Sequence, residues 1–192
     1  MAITSNVSTF LTQVKQGVRP NMFEVDISFP SEIAGDTSLT GLLCKSAALP
    51  ASNVGVIEVP FRGRTVKIAG DRTFDNWTAT FINDKDMATR ARFEEWLNLI
   101  NTHKANTTAE ADPTEYSASV IIKQLEKDST DGGKILRSYK LWYAFPTSAS
   151  AIDLAYDSND QIEEFTVEFQ YSYWTVGDDT ETTAGDSNAA IL

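Results

Sequence analysis

Phe165-Thr166-Val167-Glu168-Phe169-Gln170-Tyr171-Ser172-Tyr173 alternates large apolar or aromatic residues with polar ones for nine positions without a break. A period of two puts all five large side chains on one face of an extended chain, so this stretch predicts a half-buried β-strand continuing through Tyr173. The same period appears far upstream at Phe23, Val25, Ile27 and Phe29, with Glu24, Asp26 and Ser28 between them. Working inward, Val120-Ile121-Ile122 and the run from Ile135 to Tyr143 flank Asp131-Gly132-Gly133, where glycines supply the positive φ of a hairpin turn. A second hairpin is expected at Asp157-Ser158-Asn159-Asp160, joining Ile152 to Tyr156 with the strand that opens at Phe165. Most strands are thereby expected to pair with sequence neighbours.

One substantial helix is expected from about Asp84 to Thr102, with Met87, Ala91, Trp96, Leu97 and Ile100 on its apolar face and Asn83 or Asp84 as the cap. A shorter helix is expected from Ser8 to Gln16, carrying Phe10, Leu11 and Val14 on one side and ended by Gly17. Pro30 to Thr40 and His103 to Thr114 read as polar loops, and Gly177 to Ala190 as an acidic tail rich in Ser and Thr. Many strands with one packed helix predict a mainly β fold, an antiparallel β-sandwich or partly closed barrel with one main α-helix. At 192 residues the chain suits one domain over 1–192, with a core at about 15–175 and a polar acidic C-terminal extension at 176–192.

Composition narrows the function. Cys44 is the only cysteine, so no intrachain disulfide forms, and a small core residue is expected there. The opening MAITSNVSTFLTQVKQG lacks the basic start and apolar stretch of a secretory signal. The longest uninterrupted apolar run, Leu141 to Phe145, falls far short of the roughly 20 residues of a membrane-spanning helix. Net charge is −11 and unevenly placed. Residues 1–150 hold 16 Lys and Arg against 17 Asp and Glu, a net of −1, whereas residues 151–192 hold ten acids and no base, a net of −10.

Catalytic groups are sparse. His103 is the only histidine, sits beside Lys104 and has no serine or cysteine motif around it. None of the nucleotide, dinucleotide, zinc or nucleophile-elbow patterns occurs. Glu94-Glu95 and Glu163-Glu164 are neighbours in sequence, which point apart on a helix or to opposite faces of a strand and so make poor glycosidase pairs. Asp157, Asn159, Gln161 and Glu168 match four positions of a calcium loop, but Ile162 stands where that loop needs glycine. No enzyme activity, metal or cofactor is expected.

Phe61 to Trp77, FRGRTVKIAGDRTFDNW, carries the positive charge that the C-terminal part lacks. It reads as a basic strand, a turn at Ala69-Gly70-Asp71 and an aromatic strand opening at Phe74 and Trp77. Arg62, Arg64, Lys67 and Arg72 beside Phe61 and Phe74 would suit phosphate and base stacking, yet an overall acidic chain repels a polyanion over most of its surface. A basic segment and an acidic C-terminal part suit head-to-tail contacts between copies, which build rings or filaments, and equally suit solvated faces that keep the protein soluble or patches that pair within one chain. Arg62, Arg64, Lys67 and Arg72 are the candidate subunit-contact residues.

Several segments together resemble the tail tube proteins of contractile-tailed phages of the T-even type: Arg19-Pro20-Asn21-Met22-Phe23-Glu24-Val25, Cys44-Lys45 leading to Leu49-Pro50, and Ala69-Gly70-Asp71-Arg72-Thr73-Phe74-Asp75-Asn76-Trp77. Leu141-Trp142 and the run from Tyr156-Asp157-Ser158-Asn159-Asp160 through Phe165 to Tyr173-Trp174 continue the likeness in the same order. The resemblance covers about residues 15–175. It implies a subunit that closes with five others into a ring, sheets joining into a continuous inner barrel, and rings stacking into a rigid tube inside a contractile sheath. It implies further partners in the baseplate and tail-terminator proteins and a tape-measure protein in the lumen. Genome would pass through without specific contact, no membrane insertion is involved, and the location is the virion tail, assembled in host cytoplasm. Six copies at −11 each give a ring of formal charge −66, and an acidic bore lets DNA slide. The same architecture is similar to the tubes of type VI secretion and other contractile injection systems, so a protein-carrying tube is the alternative, and a monomeric ligand-binding β-sandwich is a third reading.

Overall fold

The computed structural model describes residues 7–14, 17–33, 38–108, 112–127 and 134–177. Alternation gives strand β1, Phe23–Ile27, with Val25 and Ile27 buried as their spacing requires. Ahead of it, α1 spans Val7–Val14, and Gly17 at φ 63° closes it by donating its N–H to the Val14 carbonyl at 2.8 Å. Within the expected Pro30 to Thr40 loop a short helix α2, Ser38–Leu42, begins and lies against β1. Gly41 permits this approach, since a Cβ there would stand 2.2 Å from the Val25 carbonyl oxygen.

Strands β2 (Cys44–Ala47), β3 (Asn53–Phe61), β4 (Arg64–Thr73) and β5 (Trp77–Ile82) follow. After helix α3 (Ala88–Ile100) and a single turn α4 (Pro113–Tyr116) come β6 (Ala118–Leu125), β7 (Ile135–Ala149), β8 (Glu164–Gln170) and β9 (Tyr173–Val176). Seven of these strands form one antiparallel sheet in the order β1-β6-β7-β8-β5-β2, with β9 also on β7. The fifteen-residue β7 makes this possible. Its first part pairs with β6 and β9 and its last part with β8, and between them Tyr143 adopts φ 53°. A positive φ at a residue with a Cβ bends the strand, so β7 crosses from one layer of the sandwich to the other.

The layers meet over an aromatic core. Val25, Ile27, Val120, Ile122 and Leu141 face Trp77, Ala79, Phe81, Phe165, Val167 and Phe169, all buried. Helix α3 seals this core with Thr89, Phe93 and Trp96. The Phe93 ring lies 5.0 Å from Phe81 and 5.5 Å from Phe29, and Trp96 donates its indole N–H to the Tyr116 carbonyl at 2.6 Å. Cys44 is half-buried against the same core, as a small apolar residue would be, and burial pushes its thiol up to about 12.

Antiparallel pairing, the dominant β content and a single long helix agree with the sequence expectation, and β6 pairs β7 as a hairpin whose Asp131-Gly132-Gly133 turn lies outside the described residues. Five details differ. Ala69-Gly70-Asp71 makes no turn, being part of β4, where the pairing with β3 slips by a bulge opposite Gly55. The two glycines permit that bulge, because a Cβ on Gly70 would stand 3.2 Å from the Gly55 backbone. No hairpin turns at Asp157 to Asp160; residues 150–163 form an irregular connection, because β8 takes β7 and β5 as its two neighbours. The C-terminal strand breaks at Tyr171-Ser172, where the chain leaves β8 to pair β9 with β7. Helix α3 starts four residues later than expected and buries Phe93, with Met87 and Ala91 exposed, because the sheet meets the Thr89-Phe93-Trp96 stripe. Pairing is also less local than expected, as β1–β6, β5–β8 and β2–β5 join distant segments.

Candidate functional site

Val54, Val56, Ile57, Val59, Val66 and Ile68 are β-branched, and such residues favour strands, where their stiff side chains pair with cross-strand neighbours. They make β3 and β4 a hairpin that pairs along its whole length and has no hydrogen-bonded neighbour in the seven-stranded sheet. Arg62 (φ 45°) and Gly63 (φ 81°) form its two-residue turn, with positive φ at both positions as a type I′ turn requires. Nine residues at about 3.3 Å each carry the tip roughly 30 Å from the root. The root is tied to the body. Asn53 donates to the Asp75 carboxylate at 2.7 Å, and the Trp174 indole donates to the Ala51 carbonyl at 3.1 Å. Tyr171, whose hydroxyl is held above its usual range by burial and by the Asp75 charge, reaches the same carbonyl.

The register assigns the arm two unlike faces. Ile57, Val59 and Phe61 lie opposite Ile68, Val66 and Arg64 on one face, while Glu58 and Pro60 lie opposite Lys67 and Thr65 on the other. The first is an apolar stripe left open to water, with Phe61 63% exposed. A contiguous exposed apolar surface of this kind marks an interaction site.

The four candidate contact residues all belong to this arm and all are exposed, Arg62 in the turn and Arg64, Lys67 and Arg72 along β4. The fold therefore brings them onto one hairpin, although not by the turn expected at Ala69 to Asp71. Lys67 pairs with Glu58 at 3.4 Å, an exposed contact worth little, and the Arg62 guanidinium lies 5.3 Å above the Phe61 ring. Among the described residues Arg62, Arg64 and Arg72 form no ion pair. Sequence reasoning missed the other half of the arm. The β-branched run Asn53 to Phe61, ending at a two-residue Arg-Gly turn, was the signal for it.

A second exposed surface lies on the β7–β8 connection, residues 150–163. Asp153, Asp157, Asp160 and Glu163 stand there with no Lys or Arg, between exposed Leu154, Tyr156 and Ile162. Its ends are fixed: Ser150 donates to the Thr166 carbonyl at 2.8 Å, and Asn83 donates its backbone N–H to the Glu163 carbonyl at 2.9 Å and its side chain to the Glu163 carboxylate at 3.0 Å. The loop borders an open cavity of about 1180 Å³. Glu168, the last position of the calcium-like pattern, lies on β8 and accepts from the Asn76 amide and Ser148 hydroxyl. A third uncovered surface is α1, whose Phe10, Leu11 and Val14 all face water. Finally, β1 and β2 each have one strand neighbour in the sheet, leaving one edge of each without a strand partner.

A family model described as "Phage tail tube protein" matches residues 18–177. The chain is 36% identical over 156 residues to the tail tube protein gp19 of Enterobacteria phage T4, covering 81% of this chain and 90% of that protein. It is 31% identical over 155 residues to the tail tube protein of Serratia phage KSP90, covering 80% and 85%. Solved structures share the fold at lower identity. The tube-terminating cap of the anti-feeding prophage aligns at a TM-score of 0.59 and 20% identity over 92% of this chain and 99% of that one. A sheath/tube terminator structure of an extracellular contractile injection system aligns at 0.60 and 16% identity over 84% and 96%.

Proposed function

The chain belongs to the phage tail tube protein family, and on that premise we propose that it is the structural subunit of a contractile phage tail: rings of six stack into a hollow tube within a sheath, and the tube conducts the genome into the host. The observation that carries the structural part of this reading is the β3–β4 arm, a hairpin with an apolar face and a basic tip that stand exposed among the described residues. A lone two-stranded ribbon is marginally stable in water, so an arm of this length finds its support on another subunit. We place Arg62, Arg64, Lys67 and Arg72 in that contact. The open edges of β1 and β2 supply strand partners for closing a ring, which would extend the sheet from copy to copy.

The role is structural, with no reaction in it. The partners are other copies of the chain, the sheath, the baseplate and terminator proteins at the tube ends, a tape-measure protein in the lumen, and DNA in transit; the location is the virion tail. A net charge of −11 per copy supports passage of a polyanion without adhesion. Identity of 36% to a phage tube protein, against 20% or less to the injection-system structures, favours genome over protein cargo.

Negative-stain microscopy and sedimentation of the purified chain, across concentration and salt and with baseplate seeds, test the reading. Six-fold rings or hollow tubes are expected. A monomer of 21.2 kDa under every condition, seeds included, would overturn it.

A further inference from the structure

We propose that the β3–β4 arm of one copy is received by the β7–β8 connection of a neighbouring copy, with the apolar face of the arm on Leu154, Tyr156 and Ile162 and its basic tip against Asp153 and Asp157. This names the receiving surface for the contact on which the proposed function rests.

Three observations converge on that pairing. The first is charge. Residues 53–73 hold four bases and two acids, whereas residues 150–163 hold four acids and no base. Among the described residues neither Arg62 and Arg64 nor Asp153, Asp157 and Asp160 have an ion-pair partner within the chain. Glu163 is the one loop carboxylate already held, by Asn83.

The second is apolar surface. Each segment exposes large apolar side chains amid its charges, and Ile162 is 70% exposed on the loop as Phe61 is 63% exposed on the arm. Both are open to water in the single chain, so neither covers the other there. Basic and apolar against acidic and apolar is the complementarity that steers and fixes a protein contact.

The third is shape. The cavity bordered by Asp153, Leu154, Tyr156, Asp160, Ile162 and Glu163 is open to solvent, and hydrogen bonds fix the loop at both ends. Its lining comes from residues 151–164 alone, with Leu154 and Tyr156 projecting into water, so the loop by itself presents the surface an arm would meet. The other uncovered surfaces offer less: the described residues of α1 include no acid, and β1 offers one exposed acid, Glu24, beside an Asp26 carboxylate already 2.6 Å from the Lys123 ammonium. Because donor and receiver are different surfaces of one chain, the contact is heterologous and repeats from copy to copy.

Cross-linking between copies tests the proposal directly. With Cys44→Ala as background, Val66→Cys marks the apolar face of the arm and Ser158→Cys the loop. Disulfide-linked dimers are expected after oxidation only when the two proteins are assembled together, and assembled mixed material without that cross-link overturns the proposal. Charge exchange supplies the second arm. Arg62→Glu with Arg64→Glu, or Asp153→Lys with Asp157→Lys, is expected to raise the concentration needed for assembly roughly tenfold or more at low salt, and combining the two pairs in one chain is expected to restore it. Arm variants that block assembly beside loop variants that do not would sink the loop as receiver and leave the tube reading standing. Loop variants that form normal bare tubes but lose sheath would reassign the loop to the sheath. A wild-type chain that never assembles would remove the tube reading itself.

Discussion

Phe93 occupies the point where α3 meets both layers of the sandwich, with ring contacts to Phe29, Phe81, Phe165 and Phe169 between 5.0 and 6.0 Å. Truncating a buried aromatic leaves a cavity that rigid strands on both sides cannot fill. Phe93→Ala is therefore expected to cost about 3–5 kcal/mol of folding stability, measured by denaturant titration of unassembled protein. The sequence periodicity chose Met87 and Ala91 in its place, because several rotations of one helix satisfy a loose 3.6-residue repeat and only the sheet beneath selects among them. Asp84, by contrast, was legible as a cap. Its carboxylate accepts from the Thr89 N–H at 3.1 Å and the Ala88 N–H at 3.2 Å. Chiefly the Thr89 bond, opposed by partial burial and aided by Ala88, holds its carboxyl below the usual range. A lowered folded-state value means that this stabilisation is complete above the unfolded value near 4 and is lost as pH falls through the folded one. Asp84→Ala is expected to cost about 1 kcal/mol at neutral pH, with the difference from wild type vanishing in acid, as read from thermal midpoints across pH.

At the scale of elements, the arm and the body answer to different forces. The body buries its alternating residues between two layers, whereas every residue of β3 is exposed, so the body does not depend on β3 for its core. Replacing Val54 to Arg72 by a short Gly-Ser turn is therefore expected to leave the thermal midpoint of the unassembled protein within a few degrees of wild type while abolishing rings and tubes. A midpoint that collapses with the arm would show that it belongs to the core. The sequence disclosed β4 through its charges but placed the turn at Ala69-Gly70-Asp71, since a glycine beside an aspartate is an ordinary turn signal. Pairing with β3 turned that glycine into a bulge, and the real turn at Arg62-Gly63 lay within the basic run. The hairpin expected at Asp157 to Asp160 failed for a related reason: turn-rich composition fits a long connection as well as a tight one, and β8 found its partners in β7 and β5.

For the whole molecule the uneven charge is the property with the broadest reach. Reversing all four of Arg62, Arg64, Lys67 and Arg72 to Glu changes the net charge by −8, and each lies on the exposed arm. Assembly of this variant is expected to fail at low salt, where the reversed arm and the acidic loop repel, and to recover partly at high salt as that repulsion is screened and apolar contacts remain. Light scattering over a salt series reads this out, and unchanged assembly at both extremes would remove these residues from the contact. Wild-type assembly is expected to weaken, not strengthen, as salt screens the attraction.

Alternation at Phe23 to Phe29 and Phe165 to Tyr173, one helix after Asp84, a lone cysteine and a divided charge are local properties. From them the sequence by itself determined a mainly β, antiparallel fold, and its motifs pointed to the family. Which strands neighbour one another, where β7 bends at Tyr143, which helix face packs, and whether an apolar strand ends in the core or in water depend on contacts between distant residues. The tertiary structure alone decided those, and by leaving β3 and β4 without a strand neighbour among the described residues it turned a basic sequence run into an exposed arm.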